Sequence, residues 1–331
     1  MKNKITLTKD NIKILICCHK PCELPPNPDG IFLPIQVGAA ISDVDLGMQR
    51  DDQLNGKTCD NISAKNKCYC ELTALYWAWK NIKKIYPDLE YIGLNHYRRY
   101  FSFKIKNHFD PAVIMPENEI INYKFDKTNL EKILEKRNII VAKRRIYPYP
   151  VEINYAAELV SDDMRTLKNI IHKKYPQYIP AVSNIITNGN KLSLCNMFIM
   201  KWSDFESYCT WLFSILTEAE KEINITNYST TQKRIFGYMA ERLLNVWIHS
   251  LPNNKKNIKE ANIAKYTDVE KNSKQFYIKN YIKNSIAFNI AFKPLGIGKL
   301  IKTKIFTTGG GNKTKVITLF VRTPDFTEEA A

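Results

Sequence analysis

Short apolar runs alternate along the chain with longer segments of helical periodicity. The apolar runs, too short for helices, predict buried strands at Lys13 to Cys18, Tyr91 to Asn95, Ile139 to Ala142 and Lys191 to Met200. Such runs are typical of parallel strands that are covered on both faces. Helical periodicity falls at 130–136, Tyr155 to Tyr175, 203–219 and 235–248. This alternation predicts an α/β protein with a central, mostly parallel sheet flanked by helices.

The helix before the strand at Tyr91 has the clearest signals. A core-facing stripe at i, i+3, i+4 and i+7 is formed by Leu72, Leu75, Tyr76 and Trp79. We expect Asp60 or Ser63 to cap this helix, because their side-chain oxygens can accept from free backbone N–H groups. Ser203 and Glu206 form the pattern of a capping box before a later helix.

Cationic side chains follow three of the predicted strands. They are His19 and Lys20 after the first strand, His96, Arg98 and Arg99 after the second, and Lys143 to Arg145 after the third. Ligands of open α/β sheets bind where parallel strands end, so we expect an anion site there. Planar guanidinium groups match phosphate oxygens, and repeated clusters favour a diphosphate. The alternatives are solvated strand ends, or Arg residues paired with Asp or Glu elsewhere.

Polar residues near helix starts and inside apolar runs are further binding candidates. Asp60, Asn61 and Glu71 lie near the start of the helix before Tyr91, where free N–H groups favour an anionic or hydroxyl-rich ligand. Asn196 interrupts an apolar run, so its amide needs a backbone partner or a substrate.

Carboxylates in predicted helices are the candidates for proton transfer. Glu158, Asp162 and Asp163 lie in one helix, although surface carboxylates are commonplace on helices. Glu241 shares a helix face with Arg234, seven residues earlier, and a structural ion pair is the alternative to a substrate role.

Several common cofactor motifs are missing from the sequence. It contains neither a Gly-x-Gly-x-x-Gly nor a Walker-type loop, which argues against NAD enzymes and P-loop kinases. Cysteine and histidine cluster between positions 17 and 22, but no second Cys pair has zinc-finger spacing. Asp51 and Asp52 could hold a divalent metal, although acidic pairs in loops are usually solvated.

The chain has a formal net charge of +16. This balance indicates nucleic acid, an anionic membrane surface or a phosphorylated small molecule as the partner. Nucleic-acid binding would depend steeply on salt, but it does not explain why the cations follow strands. No apolar run is long enough to span a bilayer, and the first residues do not resemble a signal peptide. We therefore expect a soluble or peripheral cytoplasmic protein.

The composition changes after Pro252. Between Glu270 and Asp325 there are eleven Lys or Arg and no acidic residue, and aromatic side chains alternate with the cations. This mixture suits an anionic lipid surface. We predict an α/β domain over residues 1–250 and a basic, aromatic-rich extension over residues 251–331 that contacts a membrane.

Several motifs carry a family resemblance across residues 12–250. They are His19–Lys20, Asp60 to Ser63, Tyr69 to Asn81, Gly93 to Phe101, Asn196 to Met200, Tyr208 to Phe213 and Gly237 to Leu244. In these motifs the chain resembles a family of bacterial surface-polysaccharide glycosyltransferases, long catalogued as a domain of unknown function, with galactofuranosyltransferase-like members. The resemblance implies a GT-A-like nucleotide-sugar-binding fold and transfer of a sugar from a UDP-sugar in capsule or O-antigen assembly.

The resemblance and the residue patterns together suggest roles for the candidate residues. The donor-binding candidates are His19, Lys20, Asp60, Asn61, Glu71, His96, Arg98 and Arg99, and the acceptor-binding candidates are Asn196 and Arg234. Many GT-A enzymes hold the donor diphosphate through a metal on an Asp-x-Asp motif. Here the Arg pair stands at the corresponding strand end, so we expect it to stabilise the UDP leaving group. No cofactor is firmly implied, and a divalent metal, Mn²⁺ or Mg²⁺, is left open.

An inverting transfer needs a carboxylate that deprotonates the acceptor hydroxyl. Asp163 is the first candidate, because it lies between the two halves of the chain in an apolar helical stretch, and Glu241 is the second. The expected acceptor is a saccharide linked to undecaprenyl diphosphate at the inner face of the bacterial plasma membrane, and no nucleic-acid partner is expected. The alternative is a non-catalytic sugar-binding or scaffold protein of the same fold, without the carboxylate base.

Overall fold

The computed structural model describes residues 4–104, 111–252, 257–267, 301–307 and 314–320. Strands β1 to β9 are Ile12–Cys18, Phe32–Gln36, Gln49–Arg50, Tyr91–His96, Arg99–Ser102, Ala112–Pro116, Ile139–Ala142, Phe198–Lys201 and Ile258–Thr267. Helices α1 to α8 are Asn66–Tyr69, Leu72–Asn81, Lys127–Leu134, Val151–Ala156, Ser161–Lys174, Ile179–Val182, Trp202–Glu222 and Ile235–Ser250. Two short ladders pair Arg145–Ile146 with Lys191–Leu192 and Gln53–Leu54 with Lys57–Thr58.

Strands β1 to β9 form one sheet in the order β8–β7–β9–β5–β4–β1–β2–β3, in which β6 pairs with β9 and β8 also pairs with β4. The pairs β1–β2, β1–β4, β2–β3, β6–β9 and β7–β9 are parallel. The pairs β4–β5, β5–β9, β4–β8 and β7–β8 are antiparallel. The predicted central sheet with flanking helices is confirmed, but a mostly parallel arrangement holds for one half only. The reason is the two-residue turn between β4 and β5, since a turn this short can join only antiparallel strands.

Strand β1 is buried along its whole length. Leu15 and Cys17 pack into a core with residues of α2, α5, α7 and α8. Ile14, Ile16 and Cys18 pack on the opposite face, into a core that includes aromatic residues of β5. Because both faces are covered, the strand is apolar except for Lys13, whose ammonium group donates to the Gly30 carbonyl at 2.7 Å.

Helix α2 packs against α7 and the sheet with a broader face than the predicted stripe. Trp77, which lies off that stripe, is completely buried, and its indole N–H donates to the carbonyl of Gln53 at 2.8 Å. Tyr76 and Trp79 are partly exposed and pack around Phe213 of α7. Aromatic residues on this helix are therefore packing groups.

The predicted helix caps are wrong. No side chain caps α2, since a 3₁₀ turn and the short helix α1 separate it from Asp60 and Ser63. The Ser63 hydroxyl donates instead to Asp51. Helix α7 begins at Trp202, one residue before Ser203, and has no side-chain cap either.

Two other predicted elements are interrupted. The helix expected over Tyr155 to Tyr175 is divided between α4, which ends at Ala156, and α5, which begins at Ser161. The strand expected over 191–200 is divided between the short ladder at Lys191–Leu192 and β8. The second interruption contains Cys195 and Asn196, which have left-handed backbone conformations that a strand cannot accommodate.

Strand β9 lies beyond the domain boundary predicted at residue 250. It pairs with β7 through its first half and with β5 and β6 through its second half. Ile263, Ala264 and Tyr266 of this strand are buried. The sheet therefore continues as far as Thr267.

Only part of the basic extension is described. Ile301–Thr307 and Thr314–Phe320 form an antiparallel pair, whereas the aromatic and basic stretch at 268–300 lies outside the described residues. Within the residues that the structure describes, no helix combines the length and the apolar character needed to cross a bilayer.

Candidate functional site

The carboxyl ends of β1 and β4 lie side by side, with Cys17 opposite His96. His19 and Lys20, which follow β1, therefore lie next to the turn between β4 and β5. That turn is closed by the pairing of His96 with Arg99. The parallel register thus brings together the polar residues that the sequence placed after two separate strands.

Cations from four segments meet at this edge of the sheet. We call His19, Lys20, Arg98, Arg99, Arg145 and Lys265 the cationic cluster, in which His19 is neutral at neutral pH because burial and the neighbouring cations lower its pKa. Lys265 of β9 is the register partner of Arg99. Burial lowers the pKa of Lys265, and the charges of Arg99, Arg98 and Arg145 lower it further. These groups are therefore close enough to repel one another.

Three members of the cluster pack against the ring of Tyr97. Tyr97 is 8% exposed, and the His19 ring meets it edge-on with 5.1 Å between centroids. The Lys20 ammonium lies 5.6 Å and the Arg98 guanidinium 5.2 Å from the centre of the Tyr97 ring. Attraction between cations and the ring face partly offsets their mutual repulsion.

The cluster has a surplus of positive charge. Among the described residues, Arg98, Arg99 and Lys265 form no ion pair with a carboxylate. The Arg98 Nε is buried and has no hydrogen-bond partner among them. Arg144, by contrast, pairs with Glu260 at 2.6 Å. Arg98, Arg99 and Lys265 are half-buried and unpaired cations in such surroundings are costly, so this edge of the sheet is suited to a multiply charged anion.

Two carboxylates lie beside the cluster, Glu71 before α2 and Glu241 in α8. The Cys195 backbone N–H donates to Glu241 Oε1 at 2.7 Å, and the Asn196 side-chain amide donates to Glu71 Oε1 at 2.7 Å. We call Cys195 and Asn196 the bridging residues. Arg242 donates to Glu241 Oε2 at 3.1 Å. Adjacent residues of one loop therefore hold both carboxylates in place.

The backbone around the two carboxylates is strained. Cys195 and Asn196 have φ values of 68° and 50°, and Cys70, which precedes Glu71, has a φ of 52°. Side chains other than Gly seldom adopt this region, and each case costs roughly 1–3 kcal/mol unless a local partner compensates. Such conformations persist where the surrounding structure requires them, and here they fix Glu71 and Glu241.

Burial controls protonation in this part of the site. It raises the pKa of Glu241, and the charge of Glu71 raises it further, whereas Arg242 opposes the shift. His96 Nε2 lies 2.7 Å from the Cys195 carbonyl oxygen, so Nε2 carries a hydrogen and donates it. Burial lowers the pKa of His96 although Glu71 opposes the change. His96 is therefore a neutral hydrogen-bond donor.

The nearby thiols are unsuited to nucleophilic chemistry. Burial raises the pKa of Cys70 to about 12 and that of Cys195 to about 11. Both groups stay protonated at neutral pH, and the thiolate is the nucleophilic form.

Arg234 lies at the rim of the same site. Its Nε donates to Cys70 Sγ at 3.3 Å. The pKa of His19 is lowered by burial, by the charges of Lys20 and Arg98 and, to a smaller extent, by the charge of Arg234. The alternative of a structural pair between Arg234 and Glu241 is not found, because Glu241 pairs with Arg242.

Three sequence-predicted site residues lie away from the cluster. Asp60 accepts a hydrogen bond from the Tyr76 hydroxyl at 3.0 Å, and Asn61 donates to the Cys59 carbonyl at 2.7 Å. Asp163 is 4% exposed and accepts from the Tyr228 hydroxyl at 2.6 Å. These contacts stabilise loops and helix packing.

Replacing Asp163 by Asn should stabilise the protein in a pH-dependent way. Burial raises the pKa of Asp163 from 3.8 to about 6. The folded state therefore holds this proton more tightly than the unfolded state, and stability falls as pH rises from about 4 to about 6. Asn removes the buried charge and still accepts from Tyr228. At about pH 8 the variant should gain at most about 3 kcal/mol, and at about pH 4 almost nothing, measured by urea unfolding.

The matched control is Asp162→Asn, because Asp162 is exposed and pairs with Arg165 across one helical turn. It should change stability little at either pH. A gain for Asp163→Asn that is equal at both pH values would contradict the assignment.

The acidic pair at positions 51 and 52 does not fit a divalent metal. Asp51 accepts from the backbone N–H groups of Gly38 and Ala39 at 2.8 and 3.0 Å, and Asp52 pairs with Arg50 at 2.8 Å. In the part of the chain that is described, no group of three or more His, Cys, Asp or Glu could hold a metal ion. Asp51 and Asp52 are therefore engaged within the protein and are not placed as ligands for the Mn²⁺ or Mg²⁺ that the sequence left open.

Sequence reasoning missed several residues of the site. Lys265 has no local signal, because only the register of β9 places it opposite Arg99. Asn95 is completely buried, and neither polar atom of its side chain has a partner among the described residues. Its signal was available, since Asn95 is a polar residue directly after the apolar run Tyr91–Leu94.

A cavity of about 360 Å³ opens beside the cluster. Its lining residues are Cys22, Glu23, Tyr97, Arg98, Glu117, Asn118, Ile120 and Tyr266. This volume is near the lower end of the usual range for small-molecule pockets. Tyr97 and Arg98 line the cavity, so a small polar ligand could contact both it and the cluster.

In fold and site, the chain is an α/β protein with a cationic sheet edge beside two fixed carboxylates. Residues 13–256 match the family described as Domain of unknown function (DUF4422), and the chain belongs to this family. The solved apo structure of the bifunctional glycosyltransferase WbbM is similar to it, with a TM-score of 0.64 and 30% sequence identity. That similarity covers 78% of this chain and 46% of WbbM, so the chain spans less than half of that protein. No curated protein matches the chain.

Proposed function

We propose that the protein is a glycosyltransferase that moves a sugar from a UDP-sugar to a saccharide acceptor. The observation that carries this proposal is the cationic cluster, which has a surplus of positive charge beside two held carboxylates. A diphosphate supplies the negative charge that the cluster lacks, and a carboxylate supplies a proton acceptor. The structural similarity to a glycosyltransferase supports the same reading.

The donor diphosphate binds, in this proposal, against Arg98, Arg99 and Lys265. Breaking the bond between the anomeric carbon and the diphosphate oxygen leaves negative charge on the departing UDP. Preorganised cations at that oxygen stabilise the charge as it develops, and this kind of stabilisation is often the largest single contribution to catalysis. His96, whose Nδ1 is an acceptor because its one hydrogen on Nε2 is donated to the Cys195 carbonyl, and Arg234, a donor at the rim, are proposed to bind hydroxyl groups of donor or acceptor.

The finer parts of the proposal concern the substrates and the place of action. Galactofuranose is one donor sugar to test, and a saccharide on undecaprenyl diphosphate is the acceptor to test, in capsule or O-antigen assembly. We assign an inverting mechanism and a GT-A-like arrangement. The basic extension is proposed to hold the protein on the inner face of the plasma membrane, where cations and aromatic side chains interact with anionic lipid.

A panel of UDP-sugars tests the proposal. The full chain is incubated with each donor and a saccharide acceptor, with and without Mn²⁺, and UDP release is measured. We expect release with one donor and a rise in melting temperature with UDP. Absence of both would overturn the proposal. Steeply salt-dependent binding of DNA or RNA in its place would indicate a nucleic-acid-binding protein, and sugar binding without UDP release a non-catalytic scaffold.

A further inference from the structure

The two carboxylates beside the cationic cluster differ in how their oxygens are used. Glu241 has both oxygens engaged, Oε1 by the Cys195 N–H and Oε2 by Arg242. Glu71 accepts the Asn196 amide at Oε1, and its Oε2 accepts no hydrogen bond from the described residues. Of these two carboxylates, therefore, Glu71 is the one with an oxygen that no described residue engages, and that oxygen is available for a substrate proton.

We propose that Glu71 is the catalytic base, that its Oε2 removes the proton from the acceptor hydroxyl, and that Glu241 and Asn196 are positioning residues. This inference rests on the proposed glycosyl transfer and assigns one of its steps. It differs from the assignment that the sequence favoured, in which Asp163 was the base and Glu71 a donor ligand.

The surroundings of Glu71 place it at the centre of the site. The pKa of Cys17, near the end of β1, is raised first by burial of the thiol and second by the negative charge of Glu71. Its charge also opposes the lowering of the His96 pKa, and it acts on Arg234 and Glu241. Glu71 thus faces residues from β1, β4 and α8 together. No comparable interaction links Asp163 to the cationic cluster within the described residues.

The local backbone explains how Glu71 is aimed. Cys70 turns the chain with a positive φ immediately before Glu71, and the Arg234 Nε and the Cys70 thiol are in contact. Asn196 holds the Glu71 carboxylate through Oε1 and also donates to the Gly237 carbonyl at 3.2 Å. A carboxylate held by one amide on a fixed backbone, with its other oxygen free of described partners, loses little entropy when it accepts a proton, and this orientation favours general base catalysis.

The step balances without a further reactant. The acceptor O–H bond breaks and its proton passes to Glu71 Oε2, while the hydroxyl oxygen forms a bond to the anomeric carbon. The bond from that carbon to the diphosphate oxygen breaks, and its electron pair leaves on UDP against Arg98 and Arg99. Glu71 then releases the proton to water.

The variant Glu71→Gln tests the assignment, because Gln keeps the shape and can still accept from Asn196. We expect UDP release in the presence of donor and acceptor to fall about 10²–10⁴-fold, the usual contribution of a general base. The rise in melting temperature caused by UDP should be the same as in the unmodified protein. If Glu71 had a structural or donor-binding role, this rise would become smaller. Glu71→Asp keeps a carboxylate, so its activity should lie between that of the unmodified protein and that of Glu71→Gln.

Two further variants complete the comparison. Glu241→Gln replaces one acceptor oxygen by an NH2 group that faces the Cys195 N–H or Arg242, so it should lower UDP release by disturbing the position of the loop, but by less than Glu71→Gln does. Glu218→Gln is the matched control on the surface of α7, where Glu218 pairs with Lys174 and Lys221, and it should leave UDP release unchanged.

Each outcome decides between the assignments. If the unmodified protein releases no UDP with any donor, the proposed function fails. If the unmodified protein is active and Glu71→Gln keeps more than about a tenth of that activity, then Glu71 is not the base, because removing a general base should lower the activity by about 10²-fold or more. Loss of the UDP-dependent rise in melting temperature in Glu71→Gln overturns the inference in favour of donor binding. A larger loss in Glu241→Gln than in Glu71→Gln moves the base to Glu241.

Discussion

A chain that ends at Ser250 is expected to lose the cooperative unfolding transition of the longer protein. Such a chain lacks β9, which pairs with β5, β6 and β7. Ile263 and Tyr266 are 4% and 3% exposed, and burial of a side chain like Ile263 contributes about 1.5–3 kcal/mol. With the ladder hydrogen bonds to three strands lost as well, the deficit is comparable to a typical stability of about 5–15 kcal/mol. Urea unfolding followed by circular dichroism measures it.

A chain that ends at Thr267 is the control, because it keeps β9 complete. We expect it to unfold in one transition. If the chain that ends at Ser250 unfolds with an unchanged midpoint, β9 contributes nothing to the stability of the sheet and this account of the fold fails.

Replacing Arg99 by Gln should lower activity strongly without lowering stability. Arg99 lies among Arg98, Arg145 and Lys265 and has no carboxylate partner among the described residues. Removing its charge deprives the departing UDP of a cation, and losing one such group typically costs about 10²–10³-fold in kcat. The same change relieves repulsion in the free protein, so the melting temperature should be unchanged or higher. UDP release and thermal unfolding measure the two effects.

The control is Arg165→Gln, because Arg165 is 71% exposed and pairs with Asp162 on the surface of α5. It should alter neither quantity. A fall in melting temperature for Arg99→Gln would show that Arg99 has a structural anion partner, contrary to the proposed role.

Local patterns predicted much of the fold. Strands β1, β4 and β7 are buried on both faces and therefore appear as apolar runs that can be recognised without a structure. The caps could not be predicted in the same way, because the Ser63 hydroxyl donates to Asp51 instead of to a helix. Asp51 is in turn held by backbone N–H groups of the loop after β2. Propensity gives the residue types that can cap a helix, whereas tertiary contacts decide whether they do.

The candidate site was predictable where it follows strand ends and not where it depends on long-range pairing. His19, Arg98 and Arg99 were identified because each comes directly after an apolar run. Lys265 entered through strand register. The assignment of Glu71 depends on which of its oxygens is occupied, and only coordinates give that.

The left-handed backbone at Cys70, Cys195 and Asn196 limits which residues can occupy these positions. Gly has no steric cost at a positive φ, whereas β-branched residues are strongly disfavoured. A related chain could therefore carry Gly in place of Cys70 or Cys195 and still align its carboxylates, but it could not carry Val or Ile. In related chains, the site could therefore be recognised from the residue types at these three uncharged positions, even where the cations of the cluster have been replaced.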